Sequence, residues 1–301
     1  MKEYYSIKKN AIIDLNKECC DLEIWNKNNN DSYSCCKHPD GFYIFLNPHE
    51  IKISDEYKDD DPYTVIKNLS NDFHQRKFNC TLDLIKDLDT GGNLKLLDLG
   101  CGQGHLTDKI KKQFQNLEVF GLDYSITAIN YASSNYKGID FIVANAYCPP
   151  YKDDFFDIVV CNNIWEHVPD PLSLLQAISR ILKPNGSLII STPSRYRLIN
   201  LLKVCQGKDI VFMSHLHVTE YTVGQVIEQL KFGGYAMRKI YSPAIKERKI
   251  INKIIKPLIT IILKAIKSHH ILESTVFYSA IKLPAAIPKE GAAIKSLEPG
   301  I

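Results

Sequence analysis

The sequence predicts an α/β fold of the doubly wound type, and three observations carry that reading. Lys95 to Gly104 reads as a short apolar strand, a glycine-rich bend and the start of a helix. From there to Tyr241, apolar runs that fit buried strands alternate with amphipathic helical patterns. An acid, Asp123, closes the second of those strands, about twenty residues past the bend.

Composition narrows the class. At 301 residues the chain can bury a full core and carry extensions, and 45% hydrophobic with 24% charged residues fits a soluble globular protein. A net charge of +3 gives no electrostatic reason to expect nucleic acid as a partner. Met1-Lys2-Glu3-Tyr4-Tyr5 lacks the apolar core of a secretory signal, and no apolar run reaches membrane-spanning length. Nine cysteines, an odd number scattered along the chain, fit reduced thiols, so a cytoplasmic location is expected.

In chain order, residues 1–55 form an N-terminal segment with two adjacent cysteine pairs, Cys19-Cys20 and Cys35-Cys36, and His38 nearby. The C-x-x-C spacing that lets two thiolates share one tetrahedral ion is missing, so no working metal site is expected. Tyr63 to Leu88 has a helical apolar face, and His74, Gln75, Arg76 and Lys77 are expected on its solvated side. Thr90 to Asn93 is a turn. Leu96, Leu97 and Leu99 then make the first strand of the main sheet, followed by Gly100, Gly102 and Gly104 and by a helix with Leu106, Ile110 and Phe114 on one face. The helix start offers unpaired N–H groups to a ligand. Val119 to Asp123 is the second strand, a helix runs through Ile129 and Tyr131, and Phe141 to Val143 is the third strand. Phe155 to Cys161 is the fourth. Asp170 followed by Pro171 makes an N-cap and first helical residue, and the helix continues through Leu182. Lys183 to Gly186 reads as a turn before a fifth strand, Ser187 to Ser191. Thr192 to Thr222 is an insert with a helix over Leu198 to Val204 and a loop over His215 to Val218. Thr222 and Gln225 form a capping box, and Tyr235 to Tyr241 is the sixth strand.

The segment 246–267 holds seven basic residues and one acid, a net +6, with lysines on one helical stripe and Ile and Leu on the other. It reads as a basic amphipathic helix broken at Pro257. Two readings stay open: peripheral contact with an anionic inner-membrane surface, or packing on the domain with its lysines in water. Val276 to Tyr278 is a last strand, and 284–301 is a loose tail.

The G-x-G-x-G spacing with an acid two residues ahead resembles motif I of the class I S-adenosylmethionine-dependent methyltransferases. Several later segments agree. Ala144-Asn145-Ala146 stands where that group often has Gly-Asp-Ala. Phe156-Asp157-Ile158-Val159 resembles its Phe-Asp-x-Val strand. Glu166-His167-Val168-Pro169-Asp170-Pro171 resembles the Glu-His-Val-x-Asp-Pro signature of the ubiquinone-biosynthesis and related small-molecule methyltransferases, and Leu182-Lys183-Pro184-Asn185-Gly186 is also typical. The resemblance implies a Rossmann-like, mostly parallel seven-stranded sheet of order 3-2-1-4-5-7-6 over residues 56–283. It implies S-adenosylmethionine as cosubstrate, with Asp98, Gly100, Gly102 and Gly104 shaping its pocket. Asp123 would hold the ribose, Tyr124, Asn145 and Ala146 would border the adenine, and Asn162 would meet the methionine end. Tyr124 reads equally as a packing aromatic, and an amide oxygen at Asn145 still accepts a hydrogen bond. In relatives the insert after the fifth strand builds the acceptor pocket, which makes His167, His215 and His217 candidate bases. Some relatives carry a zinc-ribbon-like N-terminal segment, and Gly41 to Pro48 resembles its ending. The acceptor, whether small molecule, glycan or lipid-linked, is not legible, nor is the oligomeric state. A binding scaffold without turnover is the alternative, and the glycine spacing disfavours a nicotinamide-dependent dehydrogenase.

Overall fold

A computed structural model describes residues 4–6, 11–12, 36–46, 49–51, 72–88, 91–242, 250–268 and 270–284. Cys19, Cys20, Cys35, residues 59–71, the basic residues Lys246, Arg248 and Lys249, and the tail beyond Pro284 lie outside it. The strands are β1 (Tyr5–Ser6), β2 (Ala11–Ile12), β3 (Cys36–Lys37), β4 (Tyr43–Phe45), β5 (Leu94–Leu99), β6 (Leu117–Asp123), β7 (Asp140–Ala144), β8 (Phe156–Asn162), β9 (Leu182–Pro193), β10 (Tyr235–Tyr241) and β11 (Thr275–Lys282). The helices are α1 (Asp72–Lys86), α2 (His105–Gln113), α3 (Ile126–Asn135), α4 (Pro171–Ile181), α5 (Leu198–Cys205), α6 (Val223–Phe232) and α7 (Ile250–Ala265).

One nine-stranded sheet runs β10-β11-β9-β8-β5-β6-β7-β4-β3. Its strands β5 to β11 reproduce the expected 3-2-1-4-5-7-6 order, with β11 antiparallel to both neighbours. The count of seven is corrected to nine, because β4 adds in parallel to β7 and β3 pairs antiparallel with β4. The described part of the N-terminal segment is therefore an extension of the main sheet. Cys36 is buried there, within 3.8 Å of the Lys37 carbonyl, and His38 stacks on Phe42 at 4.3 Å.

Alternation along the strands sets the layers. Leu97 and Leu99 face a core shared with α4 and α6, while Leu96 faces one shared with α1 and α2. Phe141 and Val143 pack on Ile129 and Ala132 of α3. The caps form as expected: Asp170 Oδ1 accepts from the N–H groups of Leu172 and Ser173 at 3.1 Å, and Thr222 with Gln225 completes the capping box. The turn expected at Lys183 to Gly186 lies inside a continuous β9. Phe156 pairs with Leu182 and Ile158 with Ser187, so the intervening residues bulge out, with Asn185 at φ 63.

The chain leaves β5 through a bend in which Gly100, Gly102 and Gly104 have φ of 74, 53 and 76. The N–H groups of Gly100 and Cys101 both donate to Leu122 O, at 2.7 and 3.0 Å, which ties the bend to β6. A Cβ on Gly100 would stand 2.1 Å from Ile164 Cδ1, whereas one on Gly138, at φ 75, would meet nothing within 4 Å. Both alanine substitutions carry the left-handed strain, about 1–2 kcal/mol. Only Gly100→Ala must also move Ile164. Denaturant unfolding should therefore show Gly100→Ala as the more destabilising of the two; equal losses would contradict the close packing over the bend.

Candidate active site

Parallel strands of a doubly wound sheet gather functional groups at their carboxyl ends. Here those ends bring together the glycine bend after β5, Asp123 at the tip of β6, Asn145 and Ala146 just past β7, and Asn162 at the tip of β8.

Asp123 is held in place by backbone donors. Its Oδ2 accepts the Gly102 N–H at 2.7 Å and its Oδ1 accepts the Ser125 N–H at 2.9 Å. Asp98 does different work. It is 2% exposed, and its Oδ2 accepts the Thr107 hydroxyl at 2.7 Å, so it fastens α2 beneath the bend. Burial pushes its pKa up to about 7; the Thr107 hydrogen bond opposes the rise and the Asp123 charge adds to it.

Around the expected adenine end the structure brings in a residue that the sequence reading missed. Asn145 Nδ2 donates to Glu50 Oε1 at 2.6 Å, and Asn145 Oδ1 accepts the Tyr147 N–H at 2.9 Å. The Tyr124 hydroxyl donates to Glu50 O at 3.3 Å. A carboxylate thus stands beside the asparagine that replaces the usual acid. The only sequence signal was its place just after the Asn47-Pro48 pair.

At the other end, Asn162 Nδ2 donates to Thr81 Oγ1 at 2.9 Å, while its Oδ1 is buried with no hydrogen-bond partner among the described residues. A buried acceptor left unmet is costly unless a ligand supplies the donor. Thr81 comes from α1, so this helix closes one side of the site.

The segment leaving β8 starts with Asn163 at φ 55, a strained turn held by Asn163 N–H on Ser191 O at 2.8 Å. Trp165 is fully buried and its Nε1 donates to Gln229 Oε1 at 2.8 Å, which anchors the signature on α6. Glu166 is also buried. Its Oε1 accepts from Asn163 Nδ2 at 3.0 Å and its Oε2 has no hydrogen-bond partner among the described residues. Lys77, expected in solvent, is withdrawn from it: burial lowers its pKa and the Glu166 charge raises it. Helical periodicity assigned Lys77 to the open face, because nothing in α1 signals a carboxylate arriving from β8.

The insert folds onto this segment. The N–H groups of Val218 and Thr219 donate to Glu166 O at 2.9 and 3.2 Å. His167 Nδ1 lies 3.2 Å from Leu216 O, and the His167 and His217 rings meet edge to face at 4.9 Å. His217 Nδ1 lies 2.9 Å from Glu220 Oε1, and the Arg197 guanidinium pairs with the other oxygen of the buried Glu220. Of the three histidines singled out, His167 and His217 converge, while His215 is exposed with no hydrogen bond among the described residues. One group of ligand atoms with metal-like spacing occurs among the described residues: Glu166, His167 and His217, mutually within 4.8 Å.

Residues 91–230 match the family of methyltransferase domains. Over those residues the chain is similar to a methyltransferase domain. Such domains use S-adenosylmethionine as cosubstrate. A ubiquinone biosynthesis O-methyltransferase of Histophilus somni is 34% identical over 112 residues, 34% of this chain and 45% of that protein. The chain spans about half the length of the curated relatives it matches. A chain from the complex between the Haloferax volcanii Trm112 methyltransferase activator and a methyltransferase superposes with a TM-score of 0.55 at 18% identity, covering 78% of this chain and 99% of that one. SpnF, a 4+2 cyclase, gives 0.51 at 16% identity, covering 68% and 81%. At these identities the likeness shows the fold. The glycine bend beside Asp123 stands at one end of the site and the unmet Asn162 oxygen at the other.

The Asp98 carboxyl gives a test of this geometry. Its folded-state pKa of about 7 lies above the ordinary 3.8, so its stabilising contribution is present at low pH and is lost as pH rises toward 7. Asp98→Asn keeps an oxygen for Thr107 and does not titrate. Its melting midpoint relative to the parent should rise between about pH 5 and about pH 8. A difference that stays constant over that range would contradict the buried carboxyl.

Proposed function

We propose that the protein transfers the methyl group of S-adenosylmethionine to a hydroxyl, amine or carbon of a small-molecule, glycan or lipid-linked acceptor. The observation that carries the reading is the pairing of the glycine bend, closed onto the Asp123 carboxylate, with the unmet Asn162 oxygen on the next strand tip but one. Asp123 would hold the ribose hydroxyls, and Asn162 Oδ1 would accept from the ammonium of the methionine end. Tyr124, Asn145 and Ala146 would border the adenine, with Glu50 supplying the carboxylate that Asn145 lacks.

When bound, S-adenosylmethionine supplies an electrophilic methyl on a sulfonium whose thioether leaves without taking a proton. The chain's task is then alignment of the acceptor, exclusion of water and removal of the acceptor's proton. His217 is the base that the geometry favours. Its Nδ1–H donates to Glu220, which fixes the tautomer and leaves the Nε2 lone pair for the proton. Arg197 holds Glu220 from the far side, so the imidazole is oriented by a carboxylate that is itself oriented. His167 packs against it. Burial lowers the His167 pKa, the Glu166 charge opposes and His217 lowers it further, so His167 stays neutral at neutral pH.

The Glu166, His167 and His217 spacing would also admit a divalent cation. Lys77 speaks for the proton-transfer use, since a cation there already answers the Glu166 charge. Dialysis against a chelator should therefore leave turnover unchanged, and a loss restored by a divalent metal would reverse the assignment.

Turnover can be read by incubating the full chain with methyl-labelled S-adenosylmethionine and a deproteinised cell extract, then following label into new products. The parent should transfer label, His215→Ala should match it, and His217→Ala should fall by about 10²–10⁴-fold. No transfer by the parent would contradict the reading, and full transfer by His217→Ala would remove this base.

A further inference from the structure

The connection between β10 and β11 is longer than a strand pairing needs, and α7 fills it. Tyr241 pairs with Phe277, and Thr275 pairs with Pro193 at the end of β9, so α7 leaves and rejoins the sheet at its carboxyl edge. This is the edge that carries the bend, Asp123 and Asn162. Its inward side is fastened: Lys256 Nζ donates to Glu273 Oε2 at 2.8 Å, and the turn after the helix is stitched to the insert by Leu198 N–H on Leu272 O at 3.0 Å and by His270 Nε2 on Tyr196 O at 2.9 Å.

The outward side is apolar, the reverse of a helix packed for a soluble surface. Ile254, Leu258, Ile261, Ile262 and Ile266 are 65, 58, 64, 52 and 67% exposed. Their spacing of four, three, one and four residues places them on one helical stripe. Lys264 and Lys267 are exposed at its border. The insert also exposes apolar side chains at Ile199, Val204, Phe212 and Met213. An exposed apolar stripe of this kind marks a site of association.

Charge selects the occupant. The segment 246–267 carries a net +6, and +5 once Lys256 is answered by Glu273. A second copy would bring the same positive charge against it, whereas an anionic lipid surface attracts it and receives the isoleucines. The helix of 16 residues is about 24 Å long, short of a bilayer crossing, and no described helix is long and apolar enough to span one. We propose that α7 lies in the interface of an anionic membrane with the stripe Ile254, Leu258, Ile261, Ile262 and Ile266 among the acyl chains. The carboxyl edge of the sheet then faces the bilayer. This docking stands whether or not the domain transfers a methyl group.

The test is sedimentation of the full chain with vesicles of phosphatidylcholine alone or mixed with phosphatidylglycerol, at low and high salt. The parent should pellet with the anionic vesicles at low salt and be released as screening shortens the reach of its charges. Leu258→Asp combined with Ile262→Asp should cut the bound fraction by about tenfold or more. Lys264→Glu with Lys267→Glu, which leaves the apolar stripe intact, should remove the preference for anionic over neutral vesicles. Calorimetry with S-adenosylmethionine on the same preparations, together with their melting curves, reports the folded domain separately. Failure of the parent to pellet with anionic vesicles overturns the proposal. So does equal binding by both variants, or a dimer in light scattering that the double aspartate variant dissolves.

Discussion

The hydrogen bond from the Gly102 N–H to Asp123 is the constraint on which the site depends. It joins two strand ends through a backbone that must turn left-handed to reach the carboxylate, and no side chain can be added at Gly100 without moving Ile164. Everything nearby preserves that contact. Leu122 O takes two N–H groups from the bend, Asp98 fastens α2 through Thr107, and Ser125 caps α3 while its own N–H fixes the second oxygen of Asp123. A carboxylate held this way is pre-aimed, so binding need not order it.

Around this fixed half the other half is assembled from distant pieces. Glu166 and His167 leave β8, His217 and Glu220 come from the insert after β9, and Lys77 arrives from α1. Their contacts are charge pairs and backbone carbonyls from loops, the kind of construction that varies without disturbing a sheet. The presence of a cyclase among proteins of this fold makes the same point: the scaffold by itself does not choose the reaction.

The division between what was legible in the sequence and what was not follows from range and period. Strands β5 to β10 and helices α2, α4 and α6 were legible because their apolar periods and caps are local. Asp123 was legible because a strand tip must end near the neighbouring bend. β3 and β4 were not: two and three residues carry no period, and their place is fixed by pairing with β7. Glu50 escaped for the same reason. Lys77 and the Arg197–Glu220 pair are withdrawn from water by partners that lie far along the sequence, and a periodicity argument assigns such residues to water. The stripe on α7 was visible, but its direction was not. A hydrophobic period says that a face exists, while the fastening of Lys256 to Glu273 decides which way it points.

The central claim is that the bend and Asp123 receive an adenosyl sulfonium. Isothermal calorimetry of the full chain with S-adenosylmethionine measures this without an acceptor. One equivalent should bind, its demethylated product should compete for the same site, and a nicotinamide dinucleotide should give no heat. Absence of binding by both adenosyl ligands, or saturable binding of the dinucleotide in their place, would contradict the account.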